Sequence, residues 1–174
     1  MLIYGEKIYL RAIEKSDNEL LRQLMNDPDT ELMLSGKSFP VSGDSQLKWF
    51  ENLGSSNELR FIIAERASDE AVGTVILSDI DRINGTAEIH IKLRAESRCK
   101  GFGSDCVRTL VGYAVNELRL NCIYANILEY NTASRLMFEK CGFVREGIMR
   151  ERVYKNGKYV NVLAYSILRD EIRD

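Results

Sequence analysis

The chain has 174 residues, enough for one domain with its own hydrophobic core. Hydrophobic residues make up 45% and charged residues 29%, with a net charge of −2, which suits a soluble globular protein and argues against nucleic acid as a partner. No run approaches the roughly 20 apolar residues of a membrane span and the N-terminus carries no cleavage signature, so a cytoplasmic location with no membrane partner is expected.

Residues 7–13, KIYLRAI, alternate Ile8, Leu10 and Ala12 with Lys7, Tyr9 and Arg11 and read as a half-buried strand. Ser16 followed by Glu19 reads as a capping box opening a helix with Leu20, Leu21, Leu24 and Met25, which Asn26–Asp29 stop. Residues 35–45 read as a loop of mixed charge, with Lys37 and Asp44. A second short helix carries Leu47, Trp49, Phe50 and Leu53, with Trp49 expected in the core, and residues 54–57 end it. Residues 59–66 and 72–80 read as strands, and Asn84-Gly85 is a hairpin signal joining the second to another strand, TAEIHIKL, over 86–93. A basic, glycine-bearing loop follows. Then Val107, Leu110, Val111, Ala114, Val115 and Leu118 mark one apolar stripe on a helix. Residues 122–130 read as a strand, and 131–141 as a helix with Asn131 at its start and Gly142 at its end. A hairpin around Asn156-Gly157 closes the chain. This order predicts one mixed α/β (α+β) domain over residues 1–174.

The four cysteines, Cys99, Cys106, Cys122 and Cys141, show no C-x-x-C spacing, and the lone His90 cannot complete a zinc set with them. No metal is expected.

The loop RCKGFGSDC, residues 98–106, bears the chemistry. A Walker loop would end in Gly-Lys-Ser/Thr, whereas Gly103 precedes Ser104 and Asp105. A dinucleotide fingerprint would need a third glycine where Cys106 stands and a parallel unit before it. A plain connection is one reading. The other is an anion cradle: Arg98, Lys100, Gly101 and Gly103 converge on a helix N-terminus, where glycines let N–H groups face a ligand and the helix dipole adds positive charge.

Arg98 to Gly103 reads R-x-x-G-x-G, which resembles the coenzyme A loop of the GNAT superfamily of N-acetyltransferases. Asn131 through ASRLMFEKCGF to Phe143 is similar to the same family's N-x-x-A/S to GF stretch. AEIHIKL, NDPDTELM and REGIMRERVYKNGKYVN resemble the branch of ribosomal-protein N-terminal and polyamine acetyltransferases. The resemblance spans nearly the whole chain in order. It implies a single GNAT-like domain with a central, mostly antiparallel, splayed sheet flanked by helices. It also implies transfer of an acetyl group from acetyl-CoA, as co-substrate and without metal, to a primary amine. The acceptor would be a protein N-terminus, a small amine, a polyamine or an amino sugar, and a homodimer is left open.

Carried over, the resemblance makes Ile91, Lys92 and Leu93 backbone contacts for the pantetheine. Arg98, Cys99, Lys100, Gly101, Phe102, Gly103 and Ser104 would wrap the pyrophosphate. Asn131 would touch the cofactor arm, cap its helix, or do both. Strand alternation puts Glu88, His90 and Lys92 on one face and Ile89, Ile91 and Leu93 on the other. Glu88 is then the first candidate for the base or amine-orienting group and His90 the second, since imidazole titrates near neutrality; both could equally satisfy cross-strand partners or solvent. Where many relatives place a tyrosine to protonate the leaving thiolate, this chain has Phe138. Either the thiolate leaves unaided, or Tyr130 or Ser134 takes that part. A non-catalytic acyl-CoA-binding regulatory module and a nucleotide-binding loop are the competing readings.

Overall fold

The structure is a computed structural model that describes residues 1–36, 39–54 and 57–172. Eight strands form one mixed sheet: β1 (Ile3–Tyr4), β2 (Ile8–Arg11), β3 (Leu59–Glu65), β4 (Ala71–Asp81), β5 (Thr86–Leu93), β6 (Cys122–Leu128), β7 (Val144–Lys155) and β8 (Lys158–Leu168). Their order is β1-β2-β3-β4-β5-β6-β8-β7, and every neighbouring pair is antiparallel except β5 with β6. Helices α1 (Asn18–Asn26), α2 (Pro28–Leu32) and α3 (Gly43–Glu51) precede β3, α4 (Phe102–Asn116) joins β5 to β6, and α5 (Thr132–Lys140) follows β6.

The apolar stripe of α4 is buried as expected through Val107, Leu110, Val111, Ala114 and Val115. Val107, Leu110, Val111 and Ala114 pack into one cluster with Ile8, Leu10, Ile63, Val75, Leu77, Ala87 and Ile89 of the sheet. Leu118 lies beyond the helix end and is only partly buried. Helices α1 and α3 pack on each other, and α1 also packs on β4.

Several local expectations are corrected. The Ser16–Glu19 capping box does not form. Asp17 instead accepts two hydrogen bonds from Arg11, at 2.7 and 2.8 Å, and one from Glu14 N–H at 2.8 Å. A 3₁₀ turn over Lys15–Asp17 absorbs Ser16, while Glu19 pairs with Arg22 and Gln23. Asn26–Asp29 ends α1 but also opens α2, where Asp27 caps Thr30 N–H at 3.1 Å and Pro28 fits the first turn because its N–H would be unbonded anyway. The expected loop of 35–45 turns helical at Gly43, capped by Ser42 on Ser45 N–H at 3.1 Å. Lys37 lies outside the described residues, as do Ser55 and Ser56 of the stretch expected to end α3. Trp49 is half-buried, not core, with the Arg60 guanidinium 5.6 Å from its ring centroid.

The strand β1 was not expected; two residues are too few to show a period. What fixes it is Asp105, 4% exposed on α4. Its carboxylate accepts from the N–H groups of Glu6, Lys7 and Ile8 at 3.1, 2.7 and 3.0 Å. One side chain therefore ties the β1–β2 turn to the first turn of α4, where a negative charge also suits the helix dipole.

Candidate functional site

The parallel pair β5 and β6 stays together for only three residue pairs, Thr86 with Cys122, Ala87 with Ile123 and Glu88 with Tyr124. Beyond them β5 continues to Leu93 along β4, and β6 to Leu128 along β8. Ile89–Leu93 and Ala125–Leu128 therefore face one another across a wedge without pairing. An edge left open inside a sheet presents N–H and C=O groups to whatever fills the gap. A cleft of about 580 Å³ occupies the wedge, walled by β5, β6, α5, residues 33–35 and the start of α4. A separate open depression of about 760 Å³ lies on the bulge of β7, lined by Met149, Arg150, Glu151, Arg152 and Asn161. It shares none of these walls.

At the wide end of the wedge stands the glycine loop. Gly101 sits at the start of α4 with φ +88°, and Cys99 before it has φ +60°. The left-handed conformation at Gly101 excludes a Cβ without strain. The first nitrogen of the turn to find a helical acceptor is Asp105 N, on Gly101 O at 3.1 Å. The N–H groups of residues 99–104 have no protein acceptor among the described residues. A helix N-terminus with unsatisfied N–H groups around a left-handed turn fits a diphosphate, as acetyl-CoA carries.

The structure distributes the expected cofactor residues unevenly. Ile91, Lys92, Leu93, Arg98, Cys99, Gly101, Gly103, Ser104 and Asn131 line the cleft, together with His90. Lys100 and Phe102 do not. Lys100 is exposed and its carbonyl accepts from Lys7 Nζ at 3.2 Å. The Phe102 ring is 5% exposed in the core, which leaves only its backbone to the loop. Gly103 also has a packing reason to be glycine. A Cβ there would stand 2.7 Å from Met137 Sδ and 3.4 Å from Leu93 Cδ1, so this glycine lets α4 approach α5. Arg98 turns across the mouth: its Nη2 donates to Thr30 Oγ1 at 2.8 Å and lies 3.5 Å from Asp27 Oδ2. Asn131 is engaged at both ends of its amide. It caps Ser134 N–H at 3.1 Å and donates to Met33 O at 3.0 Å.

Where the strands part, the polar face of β5 forms a network. Glu88, its side chain 12% exposed, accepts from Asn126 Nδ2 at 3.0 Å and lies 3.7 Å from His90 Nε2. Ser78 Oγ is 2.9 Å from the same nitrogen. His90 and Asn126 line the cleft, and Glu88 stands behind them. Asn126 escaped the sequence reading because its role exists only once β6 lies beside β5. Tyr124 is the partner of Glu88 at the last register pair, and burial, then the Glu88 charge, raise its phenol above the usual tyrosine value.

A strap formed by the end of α2 and residues 33–36 crosses the opening. Three side chains from the far wall hold its carbonyls: Tyr130 O–H on Leu32, Asn131 on Met33, and Lys155 Nζ on Glu31 and Gly36 at 3.0 and 2.8 Å. Lys155, 7% exposed, also pairs with the Glu31 carboxylate. Phe138, the departure from the resemblance, is 3% exposed and packs edge-on against Phe143 with ring centroids 4.9 Å apart. Of the two hydroxyls considered in its place, Tyr130 is committed to Leu32, while Ser134 Oγ lines the cleft with no partner among the described residues.

No group of His, Cys, Asp and Glu suited to a metal occurs among the described residues, and no described helix is long and apolar enough to cross a membrane. A family model described as an acetyltransferase (GNAT) domain matches residues 7–144. An uncharacterized N-acetyltransferase of Bacillus licheniformis, p20, is 30% identical over 172 residues, covering 97% of each chain. The spermidine N(1)-acetyltransferase of Vibrio cholerae is 27% identical over 167 residues, covering 96% of each. A crystal structure of spermidine N-acetyltransferase from Vibrio cholerae in complex with CoA and spermine superposes with a TM-score of 0.88 at 26% identity, over 95% of this chain and 97% of that one.

Proposed function

The chain belongs to the GNAT acetyltransferase family and is an acetyl-CoA-dependent N-acetyltransferase; from that premise we propose that it acetylates a primary amine by direct attack, with His90 as the base. Acetyl-CoA supplies an activated acetyl thioester. The loop N–H groups of residues 99–104 hold its diphosphate, and the open edges of Ile89–Leu93 and Ala125–Leu128 receive its amide-bearing arm. The observation that carries this reading is the wedge itself: an unsatisfied N–H turn at its wide end and a carboxylate–imidazole pair where the strands meet.

An alkylammonium titrates near pH 10 and must lose a proton before it attacks. His90 faces the cleft and Glu88 does not, so the geometry favours the reverse of the order expected from sequence. Glu88 Oε2 near Nε2 favours the tautomer with its proton there, donated to Ser78 Oγ. The lone pair then lies on Nδ1, which has no protein partner among the described residues. Glu88, fixed by Asn126, is a positioning residue that sets the tautomer and stabilises the imidazolium once formed. Backbone N–H groups on the open edge of β5 are the donors available to the developing oxyanion. Ser134 Oγ is the hydroxyl free to meet the departing thiolate.

The test is thermal unfolding with acetyl-CoA, followed by thiol release over an amine panel. Ligand at 100 times its dissociation constant stabilises by about 2.7 kcal/mol. At roughly 2–4 °C per kcal/mol for a chain of this size, the midpoint rises by about 5–10 °C. Cofactor binding without turnover on any amine would instead favour the non-catalytic module.

A further inference from the structure

Lys92 carries a side chain that neither the fold nor the cofactor cradle explains. It follows His90 by two residues on the same face of β5, about 6–7 Å further along the strand. That face is opposite to Ile91 and Leu93, which pack into the α4 core. The ammonium has one hydrogen-bond partner, Met25 Sδ at 3.0 Å, and thioether sulfur is a weak acceptor. No carboxylate reaches it among the described residues. Burial, then the neighbouring Arg60 charge, hold its pKa below the usual lysine value. Arg60 itself is matched by Glu58; among the described residues Lys92 has no such counter-charge.

The cleft repeats the imbalance. Its described lining holds Lys92, Arg98 and His90 and neither aspartate nor glutamate, in a chain whose net charge is −2. Carboxylates on the elements around the cleft are engaged: Asp27 by Thr30 and Arg98, Glu31 by Lys155, Glu88 by Asn126. A half-buried ammonium without a counter-charge is unfavourable until an anion reaches it. The cofactor phosphates belong at the α4 turn, which leaves the anion to arrive with the acceptor. A polyamine would bring only like charge.

Resting on the amine-transfer reading above, we propose that the acceptor carries a carboxylate several bonds from its amine, and that Lys92 binds this carboxylate while the amine lies at His90. An extended dipeptide spans about 7 Å, which matches the offset between the two side chains. Short peptides with a free C-terminus and ω-amino acids are the substrate class.

Glycylglycine and glycylglycinamide differ in this charge while their amines stay similar in basicity. With the wild-type enzyme, kcat/KM for glycylglycine is expected to exceed that for the amide by at least about tenfold, the worth of a charge-assisted contact. Lys92→Met should bring the ratio to about one by raising KM for the acid, with kcat and the acetyl-CoA KM unchanged; Lys92→Arg should keep part of the preference. Without turnover, calorimetry should show N-acetylglycylglycine binding to wild type and not to Lys92→Met. Equal rates on the two peptides, a preference for spermidine, or a Lys92→Met defect in acetyl-CoA KM or in kcat alike would overturn the proposal. Failure of every amine with acetyl-CoA bound would overturn the transfer reading instead, and the calorimetry would still decide the part of Lys92.

Discussion

The two ends of the wedge solve their chemical problems with different materials. At the α4 turn the working groups are main-chain nitrogens, aimed by a left-handed glycine and by the carboxylate of Asp105 behind it. At the narrow end they are side chains, Glu88, His90, Ser78 and Asn126, gathered from three strands. Backbone donors cannot be exchanged by mutation, but they depend on local conformation and on whatever anchors the helix. Side-chain groups are replaceable one at a time, but none works without neighbours distant in sequence. A diphosphate of fixed geometry suits the first device; a varied acceptor suits the second.

If that division holds, the ends should fail separately. The largest effect belongs to the narrow end. His90→Gln should lower kcat by about 10²-fold or more, the usual worth of a positioned base, with acetyl-CoA affinity unchanged. Glu88→Gln should lower kcat by a smaller factor, since the imidazole remains. Steady-state kinetics alongside cofactor titration checks both. A His90→Gln enzyme that loses acetyl-CoA affinity would erase the boundary between the two ends.

Next in size is the anchor of the wide end. Asp105→Ala strands three N–H groups at the β1–β2 turn, so a loss of about 3 kcal/mol and roughly 6–12 °C in the unfolding midpoint is expected. Asp105→Asn keeps acceptor capacity in one oxygen and should fall between. Gly101→Val follows: a β-branched residue at φ +88° costs about 1–2 kcal/mol in backbone strain, and the added bulk starts with a Cβ 3.2 Å from Lys7 Nζ. Acetyl-CoA affinity should fall by roughly fivefold to thirtyfold, with kcat at saturation preserved. A Gly101→Val protein that binds acetyl-CoA normally would mean that the turn is only a turn.

The same contrast explains what the sequence disclosed. The glycine loop was legible because left-handed backbone selects residue type locally. The two Asn-Gly pairs show the limit of that logic. Asn156 and Gly157, at φ +48° and +80°, make the expected two-residue turn between Lys155 and Lys158. Asn84-Gly85 also closes a hairpin, but Asp81 has captured the Ile83 and Asn84 N–H groups at 2.8 and 2.9 Å, and only Gly85 of the pair is left-handed. Likewise the alternation of β5 announced which face Glu88, His90 and Lys92 share. Nothing in the pattern announced that Asn126 would hold Glu88, or that Asp17 would bind Arg11 and the Glu14 N–H where a Ser16–Glu19 cap was expected. Those roles depend on partners brought by the fold, as do the capture of Glu6–Ile8 by Asp105 and the isolation of Lys92.

The smallest effect bears on the strap, where the two ends share a roof. Tyr130 was one of the hydroxyls considered for the thiolate, and its phenol donates to Leu32 O instead. Burial, then the Glu31 charge, raise its pKa above the usual tyrosine value, which makes it a poorer proton donor. Tyr130→Phe removes that one hydrogen bond and leaves the ring. An exposed bond of this kind contributes about 0.5–1 kcal/mol, so the midpoint should drop by only about 1–4 °C. Turnover should stay within about twofold of wild type, because the bond holds the strap and delivers no proton. Were kcat to drop tenfold at an unchanged midpoint, the phenol would be the acid that Phe138 cannot be. The strap would then belong to the chemistry of the narrow end.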